Sequence, residues 1–248
     1  MSFNRLQVRH QTARSLPAPY AYFYTLSARP IGTSALAVDF AITYPDRDDI
    51  DDDELIAEGF TREDDFSWAG QLPRTWLDAL ANVVKKSRLQ PLDENVLSED
   101  DDFWEITVEI TNGNRQSGQP VNSEDWQYLL QELIQAIYER LDRERPFELI
   151  YLNLSGSREQ ETRLVASFAE RTIQLTYLDD QREQRKTISW PTLQQLMAQV
   201  YKHEYSSEEA QPKRPNRAGQ WLNLGADEWY EIGQFRGLTK WLNELRSS

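Results

Sequence analysis

Apolar side chains recur every three or four positions along residues 122 to 144, NSEDWQYLLQELIQAIYERLDRE. They are Trp126, Leu129, Leu130, Leu133, Ile134, Ile137 and Leu141. That is the spacing of one helical face. Asn122 or Ser123 suits the N-cap, and Glu124 and Asp125 suit the positive end of the helix dipole. Arg140 and Arg143 sit near the other end, and Pro146 is the predicted stop.

After this helix the period changes from 3.6 to 2. FELIYLNLSG (147 to 156) is a predicted strand. TRLVASFAE (162 to 170) and TIQLTYLDD (172 to 180) alternate, with Ile173, Leu175 and Tyr177 on one face. KTISW (186 to 190) is a fourth short strand. Pro191 then opens a helix in the first-turn position that proline tolerates, with Leu193, Leu196, Met197, Val200 and Tyr201 inward.

The N-terminal part repeats this order. NRLQVRH, YAYFYTLSA (20 to 28), SALAVDFAITY (34 to 44) and DFSW (65 to 68) are predicted strands. LPRTWLDALANVVKKSR is the helix behind them, with Trp76, Leu80, Val83 and Val84 inward. Pairing Trp76 with Leu193 aligns Leu80 with Met197, Val83 with Val200 and Val84 with Tyr201, given four extra residues between Trp68 and Pro73 and one after the proline. The match suggests an internal duplication; the alternative is coincidence between two amphipathic strand-to-helix transitions. Between the two parts, DDFWEITVEI alternates through Trp104, Ile106, Val108 and Ile110 as a half-buried strand, and TNGN marks a turn.

The expected fold class is α+β: antiparallel sheets covered by helices, in two related ββββα-like units linked by a strand and the long helix. The expected division is 1–90, 91–145, 146–204 and 205–248. Residues 206 to 219, polar with two prolines, read as a linker. The aromatics after it, Trp221, Trp229, Tyr230, Phe235 and Trp241, are too apolar for a free tail. They are expected to pack back on the body; the alternative is an aromatic patch open to a partner.

Eight Trp, eleven Tyr and nine Phe in 248 residues are enough for a substantial core. No run approaches the roughly 20 apolar residues that span a bilayer, and the N-terminus lacks an apolar stretch of signal-peptide length. There is no cysteine, which removes disulfides and thiolate chemistry and fits a reducing compartment. A soluble, cytoplasmic protein is expected.

Charge changes the picture more. The net charge is −14. Residues 46 to 65 hold eleven acids against two bases, Arg47 and Arg62, and residues 99 to 105 hold five acids and no base. These segments account for the whole excess, so the rest of the chain is neutral by count. The turn that corresponds to 46–65 in the second unit, LDDQREQRK, is short and mixed in charge, so the first acidic segment reads as an insertion.

Candidate chemistry is sparse. In a calcium-hand register from Asp49, Glu54 stands where glycine is needed and Phe60 where the closing glutamate belongs. The two histidines, His10 and His203, lie in separate segments without zinc-site spacing, and His203 reads as a surface residue. No phosphate loop and no nucleophile elbow is present. No metal or cofactor is expected.

The expected function is that of a non-catalytic protein-binding module of the inhibitor, immunity or adaptor kind. Its acidic loops, with Asp48, Asp49, Asp51, Asp52, Asp53, Asp100, Asp101 and Asp102, would meet a basic protein partner. One alternative is a hydrolase with a site in a cleft between the units. A second is single-stranded nucleic-acid binding. Repeated units of four strands and a helix occur in single-strand-binding proteins of the Pur family, a likeness of loose topology without a shared motif. Nucleic acid is disfavoured, because the anionic segments would repel it.

Overall fold

The computed structural model describes residues 3–110, 113–156, 158–179 and 182–247. The chain forms two compact units, Met1–Ile137 and Tyr138–Ser248, so the boundary falls inside the long helix. The architecture is α+β, with one antiparallel sheet of seven strands and one of six. Among the described residues no helix is long and apolar enough to cross a membrane.

The first unit opens with a four-stranded meander: β1 (Phe3–Gln11), β2 (Phe23–Ile31), β3 (Ala35–Thr43) and β4 (Phe66–Pro73). A short helix, α1 (Asp52–Ala57), lies between β3 and β4, and α2 (Arg74–Lys86) follows β4. Then come β5 (Leu89–Gln90), β6 (Phe103–Ile110), β7 (Arg115–Pro120) and α3 (Ser123–Arg140). The strand order is β4-β3-β2-β1-β6-β7-β5. The strand read as part of the section between the units is thus the fifth of the first sheet, paired with β1 from Gln11 opposite Phe103 to Leu6 opposite Val108.

Alternation places Leu6, Val8, Leu26, Val38, Phe40 and Ile106 on one face of this sheet. α2 packs on β3 and β4 and buries Trp76, Leu80 and Val83. The indole N–H of Trp126 on α3 donates to Ser87 Oγ (2.7 Å), just past the end of α2. β4 is longer than DFSW: the alternation runs on through Gly70 to buried Leu72, which accounts for the four extra residues before Pro73. α3 stops earlier than Pro146 requires, because Asp142 takes a left-handed conformation (φ 53°) that aspartate tolerates. Arg143 N–H then donates back to the Tyr138 carbonyl (3.0 Å).

The second unit has the meander β8 (Phe147–Ser155), β9 (Arg158–Ser167), β10 (Thr172–Asp179) and β11 (Arg182–Ile188), followed by α4 (Trp190–Val200). β12 (Gly219–Asn223), β13 (Trp229–Glu231) and α5 (Arg236–Ser247) complete it. The order is β11-β10-β9-β8-β12-β13, with Gln211 bridging to Trp229 on the far side of β13. Each meander is therefore followed by a helix, by strands that extend the sheet beyond the first strand (three in the first unit, two in the second), and by a second helix.

Its core joins Leu149, Tyr151, Leu164, Ile173 and Leu175 to Leu193 and Leu196 of α4 and to Leu238 and Leu242 of α5. Leu152, Trp221 and Trp229 form a separate buried cluster. The C-terminal aromatics thus pack back on the body. The polar stretch before them is pinned as well. Arg214 binds Glu159 and Glu161 while stacking over Trp229, and Arg217 binds Glu231 (2.8 Å) over Trp221. His203, expected at the surface, is half-buried and stacks on Phe235 (4.0 Å).

Candidate interaction surface

Residues 44 to 65 connect β3 to β4 where the second unit needs only the Asp179–Arg182 hairpin. Like charges at this density repel, so an ordered path needs internal counter-charges. Arg47 and Arg62 supply them. The Arg47 side chain is 4% exposed. Its guanidinium donates to the carbonyls of Thr61 (2.9 Å) and Pro19 (2.8 Å) and to Asp64. Arg62 binds Asp52 (2.5 Å) and Asp48 (3.5 Å) and donates to the Ile50 and Arg47 carbonyls. Asp51 Oδ1 caps α1 by accepting from Asp53 N–H (2.9 Å). Leu55 anchors α1 in the core at 1% exposure.

Burial alone would raise the Asp64 carboxyl. The hydrogen bonds from the Thr61 amide and hydroxyl, with Arg47, outweigh it and hold the group below the usual carboxylate range. This segment is therefore a folded insert stitched by its own arginines. Asp49, Asp53 and Glu54 remain on its exposed side.

The second acidic segment is ordered by one local cap and by contacts to the β1–β2 connection. Asp101 accepts from the Ser98 amide (2.9 Å) and hydroxyl (2.8 Å), which hold its carboxyl down. Asp102 Oδ1 accepts from Ala13 N–H (2.8 Å), and the Glu99 carbonyl accepts from Ser15 N–H (2.9 Å).

These contacts bring the two segments to one place. The β1–β2 connection, residues 12 to 22, is held at Ala13 and Ser15 by the second segment. At Pro19 and Tyr20 it is held by the first, where the Tyr20 hydroxyl donates to Glu58 (2.7 Å). Both acidic segments therefore flank the same end of the first sheet. Exposed apolar side chains stand among the acids: Leu16 and Tyr20 on the connection, Ile56 on α1 and Val96 in the second segment's approach.

Beside them lies a cavity of about 640 Å³ whose lining includes Asp93, Asp100, Asp101, Asp102 and Trp104. No lysine, arginine or histidine is among the described residues that line it. Carboxylates lining a cavity without a basic side chain suit an alkylammonium or guanidinium group. Behind Trp104 sits His10, its cross-strand partner, with ring centroids 4.2 Å apart. His10 is 1% exposed, and neither ring nitrogen has a hydrogen-bond partner among the described residues. A second concavity, about 690 Å³, lies on the opposite face of the sheet, where Arg9 pairs with Glu105 (3.0 Å) near Asp39, Ser27 and Thr25.

Among the described residues no group of three or more His, Cys, Asp or Glu side chains is placed to hold a metal ion. The eight aspartates singled out in the sequence thus divide by role. Asp48 and Asp52 neutralise Arg62, Asp51 caps a helix, and Asp101 and Asp102 order the backbone, while Asp49, Asp53 and Asp100 point their charge outward. Sequence reasoning gives no role to the 12–22 connection and places Trp104 only as a position of a half-buried strand. The signal for the former is Leu16 and Tyr20 on either side of Pro17 and Pro19; the sequence reads Tyr20 into a strand from 20 to 28, which begins only at Phe23. No protein-family model, curated protein or solved structure matches this chain.

Proposed function

We propose that the chain is a non-catalytic, cytoplasmic protein-binding module that engages a basic partner through the acidic end of its first sheet. The observation that carries this reading is the convergence of both acidic segments on the 12–22 connection, with Leu16, Tyr20, Ile56 and Val96 exposed among the charges. A surface of one charge sign interleaved with apolar side chains fits a partner that is basic and amphipathic: charge sets encounter and register, apolar contact sets residence time. The carboxylate-lined cavity at Trp104 suits a lysine or arginine side chain of that partner. An inhibitor or adaptor role follows from masking such a surface. The shared element order of the two units supports descent by internal duplication, with the 44–65 insert added to the first copy for binding.

The test is binding of a basic amphipathic helical peptide of lysine and leucine, set against a glutamate and leucine peptide of the same length. The basic peptide should bind, weaken steeply as salt rises, and weaken again in the triple variant Asp49→Asn, Asp53→Asn, Asp100→Asn. Those three residues carry exposed charge without stitching the fold. Binding that ignores both salt and the triple variant would sink the charge mechanism.

A further inference from the structure

Four strand edges end the two sheets, and three of them are blunted. β5 has two residues, β13 has three and is bridged by Gln211, and β11 (REQRKTI) carries four charged side chains. Short and charged edges are how sheets avoid edge-to-edge pairing. β4 is the exception. It is eight residues long, FSWAGQLP, with no charged side chain, and it ends the seven-stranded sheet. Ser67, Ala69 and Gln71 are exposed along it. The ring of Trp68 lies across Gly70, so close that a Cβ there would come within 2.3 Å of it.

From this edge we infer that β4 pairs antiparallel with β4 of a second copy of the chain, joining two seven-stranded sheets across a twofold axis. The ends of the strand carry the choice of partner. Asp64 and Asp65 precede it; Arg74 and the N-terminus of the 13-residue α2 follow it. Antiparallel pairing sets the acidic end of each strand against the basic, dipole-positive end of the other. It also keeps the two acidic inserts at opposite ends of the interface.

Side-chain alternation restricts the register, since facing residues must share a sheet face. With Ala69 on the axis, Trp68 stands opposite Gly70 of the second copy, Phe66 opposite Leu72 and Asp64 opposite Arg74. In this register the Gly70 that each Trp68 ring covers in its own strand stands beside Trp68 of the other copy. Moving the axis to Gly70 sets the Phe66 ring opposite the Arg74 charge.

The chain has no cysteine, so a single introduced thiol can form a disulfide only between molecules. Full-length protein should show a concentration-dependent monomer–dimer equilibrium by sedimentation. Ala69→Lys places like charges on the axis and should weaken the dimer about tenfold or more, with circular dichroism unchanged. Ala69→Cys should cross-link rapidly under mild oxidation, while Thr187→Cys, at an exposed position on the charged β11 edge, should not. A chain that stays monomeric at every concentration overturns the proposal. So does a dimer in which Ala69→Cys links no faster than Thr187→Cys. The cysteine pair decides the matter even if Ala69→Lys fails to fold.

Discussion

The Arg47 guanidinium lies 3.9 Å from the ring centroid of Tyr44, and Phe60 closes on it at 4.7 Å. Two aromatic faces, two carbonyls and the Asp64 carboxylate thus surround one charge in the middle of an acidic segment. Removing one member of a buried pair leaves the others desolvated and uncompensated, at a cost of about 3 kcal/mol. Arg47→Ala should therefore release the insert while the meander stays folded. Hydrogen exchange reads this directly: amides of residues 47 to 62 should lose protection, and those of β1 to β3 should keep theirs. Arg47→Lys keeps the charge without the planar fork and should recover only part of the protection.

His10 makes the first unit sensitive to acid. Burial among Tyr22, Tyr24 and Trp104 pushes its imidazole down to about 4, against the pull of the Asp102 carboxylate. The folded value lies below the ordinary imidazole value of 6.5, so the unfolded chain binds the proton more readily. The stability tied to keeping His10 neutral is complete above the unfolded value, declines as pH falls through the window from 6.5 to about 4, and is gone below it. Over that span the linkage amounts to about 3 kcal/mol. Urea midpoints of the first unit should fall across this window, and in His10→Leu the dependence should flatten. An unchanged slope in the variant would assign the acid sensitivity to other groups.

The same residues show where sequence reading stops. The alternation in SALAVDFAITY fixes β3 and its inward set, because half-burial imposes period 2 on one strand at a time. The acidity of 46–65 is equally plain in the sequence. The path of that segment is not, because it is set by Arg47 reaching the Pro19 carbonyl 28 residues away. Likewise, 206 to 219 looks like a linker because its residues are polar. Only the position of Glu159 and Glu161 on β9 turns Arg214 into a clamp. Local pattern reveals elements; the contacts that assemble the candidate surface are long-range side-chain bonds, to which no sequence period corresponds.

Ser87 sits where two helices meet. Its hydroxyl donates to the Val83 carbonyl (2.8 Å) and accepts from the Trp126 indole (2.7 Å). Trp126 is fully buried, so Ser87→Ala leaves an indole N–H without a partner in the core, a loss of about 1–3 kcal/mol. Ser87→Thr keeps the hydroxyl and should recover most of it. Equilibrium urea unfolding of both variants checks this; equal midpoints for the two would mean that the bond contributes nothing.

The C-terminal segment should prove inseparable from the second unit. β12 pairs with β8 in the middle of the sheet, not at its edge. Leu238 and Leu242 of α5 are fully buried against the same core. The last turn is tied down by Tyr177 Oη and Lys186 Nζ, both donating to the Leu245 carbonyl. A chain ending at Ser206 loses Trp221, Leu222, Trp229, Ile232, Leu238, Leu242 and Leu245 together. At roughly 1.5–3 kcal/mol for each large apolar side chain, that is comparable to or larger than the roughly 5–15 kcal/mol net stability of a typical domain. In the truncated chain the amides of β8 to β10 should exchange at unprotected rates while β1 to β3 remain protected. In the full chain Leu242→Ala should cost only about 2–5 kcal/mol and leave the unit folded. Protection of β8 to β10 after truncation would show that the meander and α4 suffice alone, and that the segment only covers a finished core.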